Sequence, residues 1–482
     1  MDTARTMILW RSGAPLPAGR PRTLPDLLAA AAARAGSAVV LVDGGRRATW
    51  PDLLLWSGRL AGAWAATVAR GDRVAIDGPN SLDHLLAELA CWRLGAIAVP
   101  LPPGMPGAVR ARLLAELEPA LVAPSTAPAF APGPLVERAC LPDDPCLILS
   151  TSGSTGDPRG VVLTHDNLCS QQAAFALVWP AVGPGDRLAA YLPWHHSFGG
   201  LAERLWSLCR GATLTLVPGG GRDHGQLVAT VAAVRPTVFC SVPKLHRVMT
   251  HETGPWWREL RFAFTAGAAL GDAEERFYRD RGLPVAEGWG LTECSPSATI
   301  AHGGGERIPG VVGDPIPGVR VGVREDGRVL VAGPGVMAGY WRRPADTARV
   351  LSDDVLDTGD LGAWTPAGLR LAGRADHTVK LANGEKVDLG ALAHALERQP
   401  GVRQAVVFTP DGEALHALVA DGSPDAIDAV NAVEAVPWRR IRRAWRLRLE
   451  PSVDNGLLTP SHKIARAAWL RAFDAGDVEA CA

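Results

Sequence analysis

Two kinds of apolar segment alternate along the first hundred residues. The longer segments have the spacing of amphipathic helices and lie at 24–34, 50–68 and 81–94. The shorter ones are continuous apolar runs typical of buried strands and lie at 37–42, 72–77 and 96–101. Strands that alternate with helices form parallel sheets, because each connection crosses one face of the sheet. The pattern therefore predicts an α/β fold.

The pattern changes further along the chain. Pro and Gly become frequent between 102 and 145, and the α/β alternation returns from 147 to about 278. Short β-like runs at 311–331 indicate a small β subdomain, and a Gly-Arg turn at Gly373 indicates a domain boundary. We predict a large N-terminal domain, residues 1–373, of mostly parallel sheets flanked by helices plus the β subdomain. Residues 374–482 form a smaller, mobile α/β C-terminal domain in this prediction.

Composition excludes several classes of function. The 482 residues are 47% hydrophobic and carry a net charge of −1, so no bulk positive charge favours nucleic acid. No apolar run approaches the roughly 20 residues of a transmembrane helix, and the N-terminal segment is too weakly apolar for a secretory signal. The eight cysteines form no CxxC pair, which argues against a zinc site or disulfide framework and indicates a reducing cytoplasm.

Lysine is rare in this chain. Lys244, Lys380, Lys386 and Lys463 are the only lysines, and the rest of the 49 basic residues are arginine. Together with the abundant Ala, Gly and Pro, this bias is typical of a GC-rich bacterial genome. The lysines that remain are therefore candidates for positions with a specific requirement.

A hydroxyl- and glycine-rich segment, STSGSTGDPRG at 150–160, joins two apolar runs. Its glycines let backbone N–H groups converge on an anion, its Ser and Thr hydroxyls add donors, and Arg159 adds positive charge. An ordinary flexible surface loop is the alternative reading of such a composition. A Walker motif is excluded, because Pro158 occupies the place of that motif's second glycine and no lysine follows.

The longer segment STSGSTGDPRGVVLTH resembles the phosphate loop of the AMP-binding, adenylate-forming superfamily, which includes acyl-CoA synthetases, adenylation domains and luciferases. The resemblance implies that this loop holds the phosphates of ATP. The residues that it assigns to nucleotide binding are Thr151, Ser152, Gly153, Ser154, Thr155, Gly156 and Arg159. The family usually ends the loop with Pro-Lys-Gly, so Arg159 conserves the charge of the family's lysine.

A second segment, YLPWHHSFG at 191–199, is similar to the family's LPLxHxxG motif. The resemblance places His196 at the motif histidine, beside the acid pocket and the route of the second substrate, and implies a catalytic role for it. A lone histidine is more often structural, so this role depends on the motif match. The other residues expected to line the acid pocket are His195, Phe198, Gly199 and Thr265.

Two more segments, FTAGAAL at 264–270 and EGWGLTE at 287–293, are similar to the family's adenine and metal motifs. The nucleotide-binding residues that they imply are Gly267, Ala268, Gly288, Trp289, Gly290 and Thr292. Trp289 replaces the tyrosine of the family's GYGLTE and can stack on adenine equally well. Glu293 is the implied ligand of Mg²⁺, a hard cation that prefers carboxylate oxygen.

The remaining motifs lie near the C-terminus. DTGD at 357–360 and GRADH at 373–377 resemble the family's ribose-binding and hinge motifs. The resemblance implies that Asp360 accepts from the ribose, that Arg374 reaches ribose or phosphate, and that Asp376 is the hinge. The segment around Gly384 is similar to the loop that lines the thiol tunnel. NGLLTPSHKIAR at 455–466 closely resembles the ending of long-chain acyl-CoA synthetases, which makes Lys463 the catalytic lysine between carboxylate and α-phosphate.

The resemblance extends over about residues 50–466 and implies an ATP- and Mg²⁺-dependent ligase that activates a carboxylic acid as its acyl-AMP. Coenzyme A is the expected second substrate, and the phosphopantetheine of an acyl carrier protein or an amine is the alternative. A nucleotide-binding protein without catalysis is a remote alternative, because Lys463, Glu293 and Asp360 are all present. The acid itself stays open between aromatic and medium or long aliphatic compounds.

Overall fold

In the computed structural model, the described residues form six β-sheets flanked by helices. The structure describes residues 7–124, 134–152, 158–252, 254–268, 270–302, 308, 310–383, 385–421, 424–458 and 464–481. The α-helices in this part of the chain are α1 Leu24–Ala35, α2 Trp50–Trp64, α3 Leu82–Leu94, α4 Gly107–Leu117, α5 His165–Val178, α6 Trp206–Arg210, α7 His224–Val234, α8 Pro243–His251, α9 Asp272–Arg279, α10 Pro344–Val350, α11 Leu389–Glu397, α12 Pro424–Val433 and α13 Arg466–Asp474. None of these described helices is both long and apolar enough to cross a bilayer.

The strands are β1 Ile8–Ser12, β2 Val39–Asp43, β3 Arg46–Thr49, β4 Arg73–Asp77, β5 Ile97–Leu101, β6 Leu121–Pro124, β7 Pro145–Ser152, β8 Pro158–Thr164, β9 Arg187–Ala190, β10 Thr213–Leu216, β11 Val238–Ser241, β12 Phe262–Ala266, β13 Val285–Trp289, β14 Thr299–Ala301, β15 Asp314–Pro315, β16 Arg320–Arg324, β17 Arg328–Ala332, β18 Gly339–Tyr340, β19 Leu351–Ser352, β20 Val355–Thr365, β21 Gly368–Arg374, β22 Thr378–Lys380, β23 Lys386–Asp388, β24 Ala405–Phe408, β25 Leu415–Val419, β26 Ile441–Leu447 and β27 Val478–Ala480.

Three sheets contain the parallel strands of the N-terminal part. Their orders are β18-β8-β7-β5-β4-β6, β3-β2-β10-β9 and β11-β12-β13-β14-β15. Strands β6, β4, β5 and β7 are parallel to one another, as are β2, β10 and β9, and as are β11, β12 and β13. The α/β fold predicted from the sequence is therefore confirmed.

Side chains at the helix starts explain where the first helices begin. Thr49 and Asp52 form a capping box at α2, and Ser81 caps α3 by accepting from the His84 backbone N–H at 3.0 Å. Such caps satisfy N–H groups that have no partner within the helix. The predicted helix at 50–68 ends earlier, at Trp64, since residues 65–67 form turns instead.

The small β subdomain is larger than the sequence indicates. Its sheet has the order β1-β16-β17-β20-β19, with β21 added on β20. Strand β1 comes from the start of the described chain and pairs antiparallel with β16 over Ile8–Ser12. This pairing joins segments more than 300 residues apart. The local pattern of apolar residues therefore cannot predict it.

Hydrophobic cores divide along the chain within the described residues. The two clusters of the N-terminal part, with the side chains packed against them, reach as far as Leu371. The two other clusters, together with the side chains packed against them, begin at Val379 and lie around the sheet β24-β25-β26-β27. The predicted boundary between residues 373 and 374 falls between these sets, and it stays a prediction.

A cluster of ionisable side chains lies buried between α3 and a π-helical segment, Phe198–Leu205. Arg204, 1% exposed, pairs with Glu88, which is fully buried, and its guanidinium lies 4.8 Å from the ring centroid of Trp194. His84 Nε2 lies 3.5 Å from the second Glu88 oxygen. Burial lowers the pKa of Arg204 to about 9 and that of His84 to about 3, so at neutral pH Arg204 supplies the positive charge.

Replacement of Arg204 by Met should destabilise the protein by about 3–5 kcal/mol, because Glu88 is left buried without a counter-charge. The double variant Arg204→Met, Glu88→Leu should recover more than half of this loss, since no buried charge remains. Urea unfolding followed by circular dichroism measures both effects. The control Asp314→Asn, in an exposed ion pair with Arg11, should change stability by less than about 1 kcal/mol. Equal losses in the single and double variants would contradict this explanation.

His165 begins α5 and is held in its neutral form. Its Nδ1 accepts a hydrogen bond from the Leu24 backbone N–H at 3.2 Å, and its side chain is fully buried. Burial lowers the pKa of His165 from 6.5 to about 4. Between these two values the unfolded chain binds a proton that the folded protein does not, so stability falls as the pH falls through this range.

The variant His165→Asn should remove part of this pH dependence, because the amide oxygen can accept from Leu24 and does not titrate. Relative to wild type, it should lose about 3 kcal/mol less stability between pH 6.5 and pH 4. Denaturant unfolding at closely spaced pH values measures the difference. Parallel stability curves for the two proteins would show that His165 titrates normally.

Candidate active site

The carboxyl ends of three parallel strands define one edge of the sheet β11-β12-β13-β14-β15, called the central sheet below. Strands β11, β12 and β13 pair in register, so that Ser241 lies beside Thr265 and Ala266 lies beside Gly288. Ligands of open parallel sheets bind at the carboxyl edge, where the loops that follow the strands converge. The segments predicted to contact adenine and metal begin at this edge.

The predicted acid pocket is built on the segment before the π-helix. The rings of His195 and His196 have centroids 4.5 Å apart, and burial, with a smaller effect of His196, lowers the pKa of His195 to about 3. Phe198 packs edge-on against Phe264 at 5.3 Å. A Cβ at Gly199 would lie 2.4 Å from the Pro193 carbonyl oxygen, so this position requires glycine.

Thr265 adds a polar atom to this region. Its side chain is fully buried, and Oγ1 has no hydrogen-bond partner among the described residues. A buried hydroxyl without a partner costs free energy unless a ligand satisfies it. Thr265 is therefore suited to contact a polar group of a ligand at the end of β12.

The acid segment and the nucleotide segment meet at a side-chain hydrogen bond. Ser197 Oγ lies 3.2 Å from Thr292 Oγ1, in the 3₁₀ turn Thr292–Cys294. The backbone before this turn approaches its own chain closely, because a Cβ at Gly290 would lie 2.1 Å from the Pro296 carbonyl oxygen. The structure thus brings together two motifs that lie almost a hundred residues apart.

A chain of polar contacts links β13 to the predicted hinge. Trp289 Nε1 donates to Asp360 Oδ2 at 3.0 Å, and Arg374 donates to Asp360 Oδ1 at 3.3 Å and to Asp376 Oδ1 at 3.0 Å. Burial raises the pKa of Asp360, although Arg374 and Trp289 oppose the shift. Against the effect of burial, the bond from Arg374 lowers the pKa of Asp376. Three predicted site residues and the predicted hinge residue therefore form one connected group.

The segment predicted to contact adenine is exposed. Gly267 and Ala268 are both exposed, and Gly267 has φ +88 with no atom within 4 Å of an added Cβ. A glycine there allows this left-handed backbone and leaves room for a flat ligand. Gly288 is packed closely instead, because a Cβ there would lie 2.8 Å from Phe264.

On the phosphate side, β7 and β8 form a hairpin in which Thr151 pairs with Arg159. The Arg159 guanidinium lies 5.4 Å from the ring centroid of Tyr340 and 3.8 Å from Asp346. Glu293 accepts a hydrogen bond from the Tyr340 hydroxyl at 2.8 Å. Predicted site residues that lie outside the described residues are Gly153, Ser154, Thr155, Gly156, Gly384 and Lys463, and Ser152 is described in its backbone alone.

Magnesium fits the donor set at Glu293. Among the described residues, no cluster of three or more His, Cys, Asp or Glu side chains could hold a metal by itself. Mg²⁺ is commonly bound by one or two carboxylates together with substrate phosphates and water. A single carboxylate beside the predicted phosphate loop is consistent with that mode.

The sequence patterns did not identify several residues that shape the site. Ser197, Arg204 and Tyr340 contact predicted site residues or their neighbours, but none of them was assigned a role. Ser197 lies inside the recognised motif at 191–199, and its hydroxyl, a possible hydrogen-bonding group there, could have indicated a role in the site. Tyr340 and Arg204 act through partners 47 and 116 residues away, so no local pattern reveals them.

Known proteins resemble this chain in sequence and in fold. A family model described as AMP-binding enzyme matches residues 28–132 and 123–341. Feruloyl-CoA synthase from an Amycolatopsis species is 31% identical over 456 residues, covering 84% of this chain and 90% of that protein. Long-chain-fatty-acid–CoA ligase FadD15 from Mycobacterium bovis is 29% identical over 421 residues, covering 70% of this chain and 69% of that protein.

Among solved structures, O-succinylbenzoate coenzyme A synthetase from Bacillus subtilis, in complex with ATP and magnesium ion, is similar with a TM-score of 0.80. The two share 21% sequence identity, and the match covers 92% of this chain and 98% of that chain. The chain belongs to the AMP-binding enzyme family, and it is an adenylate-forming ligase. The family resemblance deduced from its motifs is thereby confirmed.

The contacts of Asp360 predict its effect on nucleotide binding. Asp360→Asn should raise the dissociation constant for AMP by about 10- to 100-fold, because the carboxylate that Trp289 and Arg374 orient no longer accepts from the ribose. Calorimetric titration with AMP measures this. Asp357→Asn is the matched control, since Asp357 lies in the same motif but bonds to Arg328 instead. Equal weakening in both variants would contradict a specific role of Asp360.

Proposed function

We propose that this enzyme activates a carboxylic acid as its acyl-AMP and transfers the acyl group to the thiol of coenzyme A. The hydrogen bond between Ser197 and Thr292 carries the proposal, because it joins the predicted acid segment directly to the predicted phosphate segment. A carboxylate and an α-phosphate that bind on the two sides of this contact would lie close enough to react. The relatives named as coenzyme A ligases support thioester formation as the second step.

In the first step, a carboxylate oxygen attacks the α-phosphorus of ATP, the bond to the β-phosphate breaks, and pyrophosphate leaves. Positioning and charge stabilisation dominate such phosphoryl chemistry. Asp360 orients the ribose and Thr292 contacts phosphate, while Lys463 neutralises charge between carboxylate and α-phosphate. Mg²⁺ on Glu293 supplies positive charge to the phosphates when it is bound.

In the second step, the thiolate of coenzyme A attacks the acyl carbonyl, the bond to the phosphate oxygen breaks, and AMP leaves. We propose that residues 374–482 turn about Asp376 between the steps, so that Lys463 leaves the site and the loop around Gly384 approaches it. Hinge closure of this kind uses a few residues at element ends. Asp376 lies in a 3₁₀ turn, Ala375–His377, directly after β21, which supports this choice of hinge.

For the acid we favour an aryl compound over a long-chain aliphatic one. Phe198 and Phe264 contact each other edge-on, and Phe175 and Trp179 back Phe264 at 6.4 and 4.9 Å. Phe198 is the half-buried ring of this group and can offer an edge-on contact to another flat ring, while the other three rings are buried behind it. Phe264 also lies against Gly288, so little depth remains there for a long chain.

Pyrophosphate release over a panel of aryl and aliphatic acids tests this function. Release should depend on the acid and should fall by about 10²- to 10³-fold in Lys463→Ala, the loss typical of one charge-stabilising group. Lys380→Ala is the matched control, since Lys380 is exposed in the same C-terminal part and should keep near-normal release.

The same assay with coenzyme A distinguishes the acceptors. Faster turnover with coenzyme A and formation of acyl-CoA support the thioester reaction. Acid-dependent release that coenzyme A leaves unchanged would instead support transfer to an acyl carrier protein or an amine. Release that does not respond to Lys463→Ala would contradict the proposed mechanism.

A further inference from the structure

Tyr340 lies between the predicted metal ligand Glu293 and the hairpin of β7 and β8, which is called the phosphate hairpin below. Its two-residue strand β18 pairs antiparallel with β8, where Tyr340 is opposite Val161. The backbone N–H groups of Ala338 and Trp341 donate to the carbonyls of Val162 and Gly160 at 3.0 and 2.7 Å. Tyr340 is thus fixed beside the strand that carries Arg159.

The same segment is also fastened to Glu293. The Tyr340 hydroxyl donates to Glu293 Oε1 at 2.8 Å, and the Met337 backbone N–H donates to the Glu293 carbonyl at 2.9 Å. Tyr340 is 8% exposed, so little water competes for this hydrogen bond.

The ring of Tyr340 contacts the cation of the phosphate hairpin. The Arg159 guanidinium lies 5.4 Å from the ring centroid and 3.8 Å from Asp346 in α10. Helix α10 in turn supports the tyrosine, since Thr347 Oγ1 accepts from the Tyr340 backbone N–H at 2.9 Å. A planar guanidinium is well suited to an aromatic surface, which a lysine ammonium uses less effectively.

We infer that Tyr340 is a positioning residue that aims the Glu293 carboxylate at the nucleotide-bound metal and holds Arg159 beside the same phosphates. The hydroxyl occupies one carboxylate oxygen, and no described residue donates to the other, which can bind Mg²⁺. A carboxylate held in this way needs no reorganisation when the metal–nucleotide complex arrives. The inference depends on the proposed function, because it takes Glu293 to be the metal ligand.

The substitution Tyr340→Phe tests this role, since it keeps the ring beside Arg159 and removes only the hydroxyl. The Mg²⁺ concentration for half-maximal ATP binding should rise by about 10-fold or more, as for other residues that orient a metal ligand. The AMP dissociation constant, measured without metal, should change less than about twofold. Calorimetric titrations with ATP at stepped Mg²⁺ concentrations, and with AMP alone, give both quantities.

Two further variants separate positioning from stability. Tyr278→Phe removes a similarly buried hydroxyl, which bonds to His246 Nδ1 at 2.7 Å, and should leave the Mg²⁺ requirement unchanged. In a Glu293→Gln background, Tyr340→Phe should raise the Mg²⁺ requirement less than about twofold further, because a residue that acts through another is not additive with it.

The outcomes are distinguishable. An unchanged Mg²⁺ requirement in Tyr340→Phe, with AMP binding intact, would overturn the inference. An equal shift in Tyr278→Phe, or a full shift in the Glu293→Gln background, would also overturn it. Failure of the wild-type protein to bind AMP at all would count against the proposed function instead.

Discussion

The burial of the Asp360 carboxylate is the constraint on which the site depends. A buried carboxylate is costly unless donors surround it, and here the donors are Trp289 at the end of β13 and Arg374 at the end of β21. These residues come from separate parts of the chain. The bonds that satisfy this one carboxylate therefore join the sheet of β11–β15 to the β subdomain.

Features that depend on neighbouring residues, such as helix starts and continuous motifs, could be predicted from the sequence. Contacts between segments far apart in the chain could not. The helices after Thr49 and Ser81 begin at capping side chains that any reader of the sequence can see. The motif residues around Trp289 and Asp360 were recognisable because each motif is continuous. The pairing of β1 with β16 and the bond from Tyr340 to Glu293 join distant segments, so neither leaves a periodic signal.

Two arginines in this chain each make two contacts with one guanidinium group. Arg374 bonds to both Asp360 and Asp376, and Arg204 pairs with Glu88 while its plane lies over Trp194. A planar guanidinium can satisfy two partners at fixed angles, whereas an ammonium is a point charge. The scarcity of lysine is therefore compatible with a demanding site, and Arg159 has the geometry to serve at the phosphate hairpin.

The predicted site is held rigidly on the N-terminal side of the predicted hinge. Ser197 bonds to Thr292, the next residue Glu293 bonds to Tyr340, and Tyr340 lies in a strand paired with β8. These contacts hold the predicted site residues in fixed positions. Directly after β21, Asp376 is held by Arg374 in a contact that is more than one-third exposed. Partly exposed ion pairs are weak, so breaking this one costs little compared with breaking the buried network. A rotation at Asp376 would therefore change which loops face the site without disturbing the groups that bind the nucleotide.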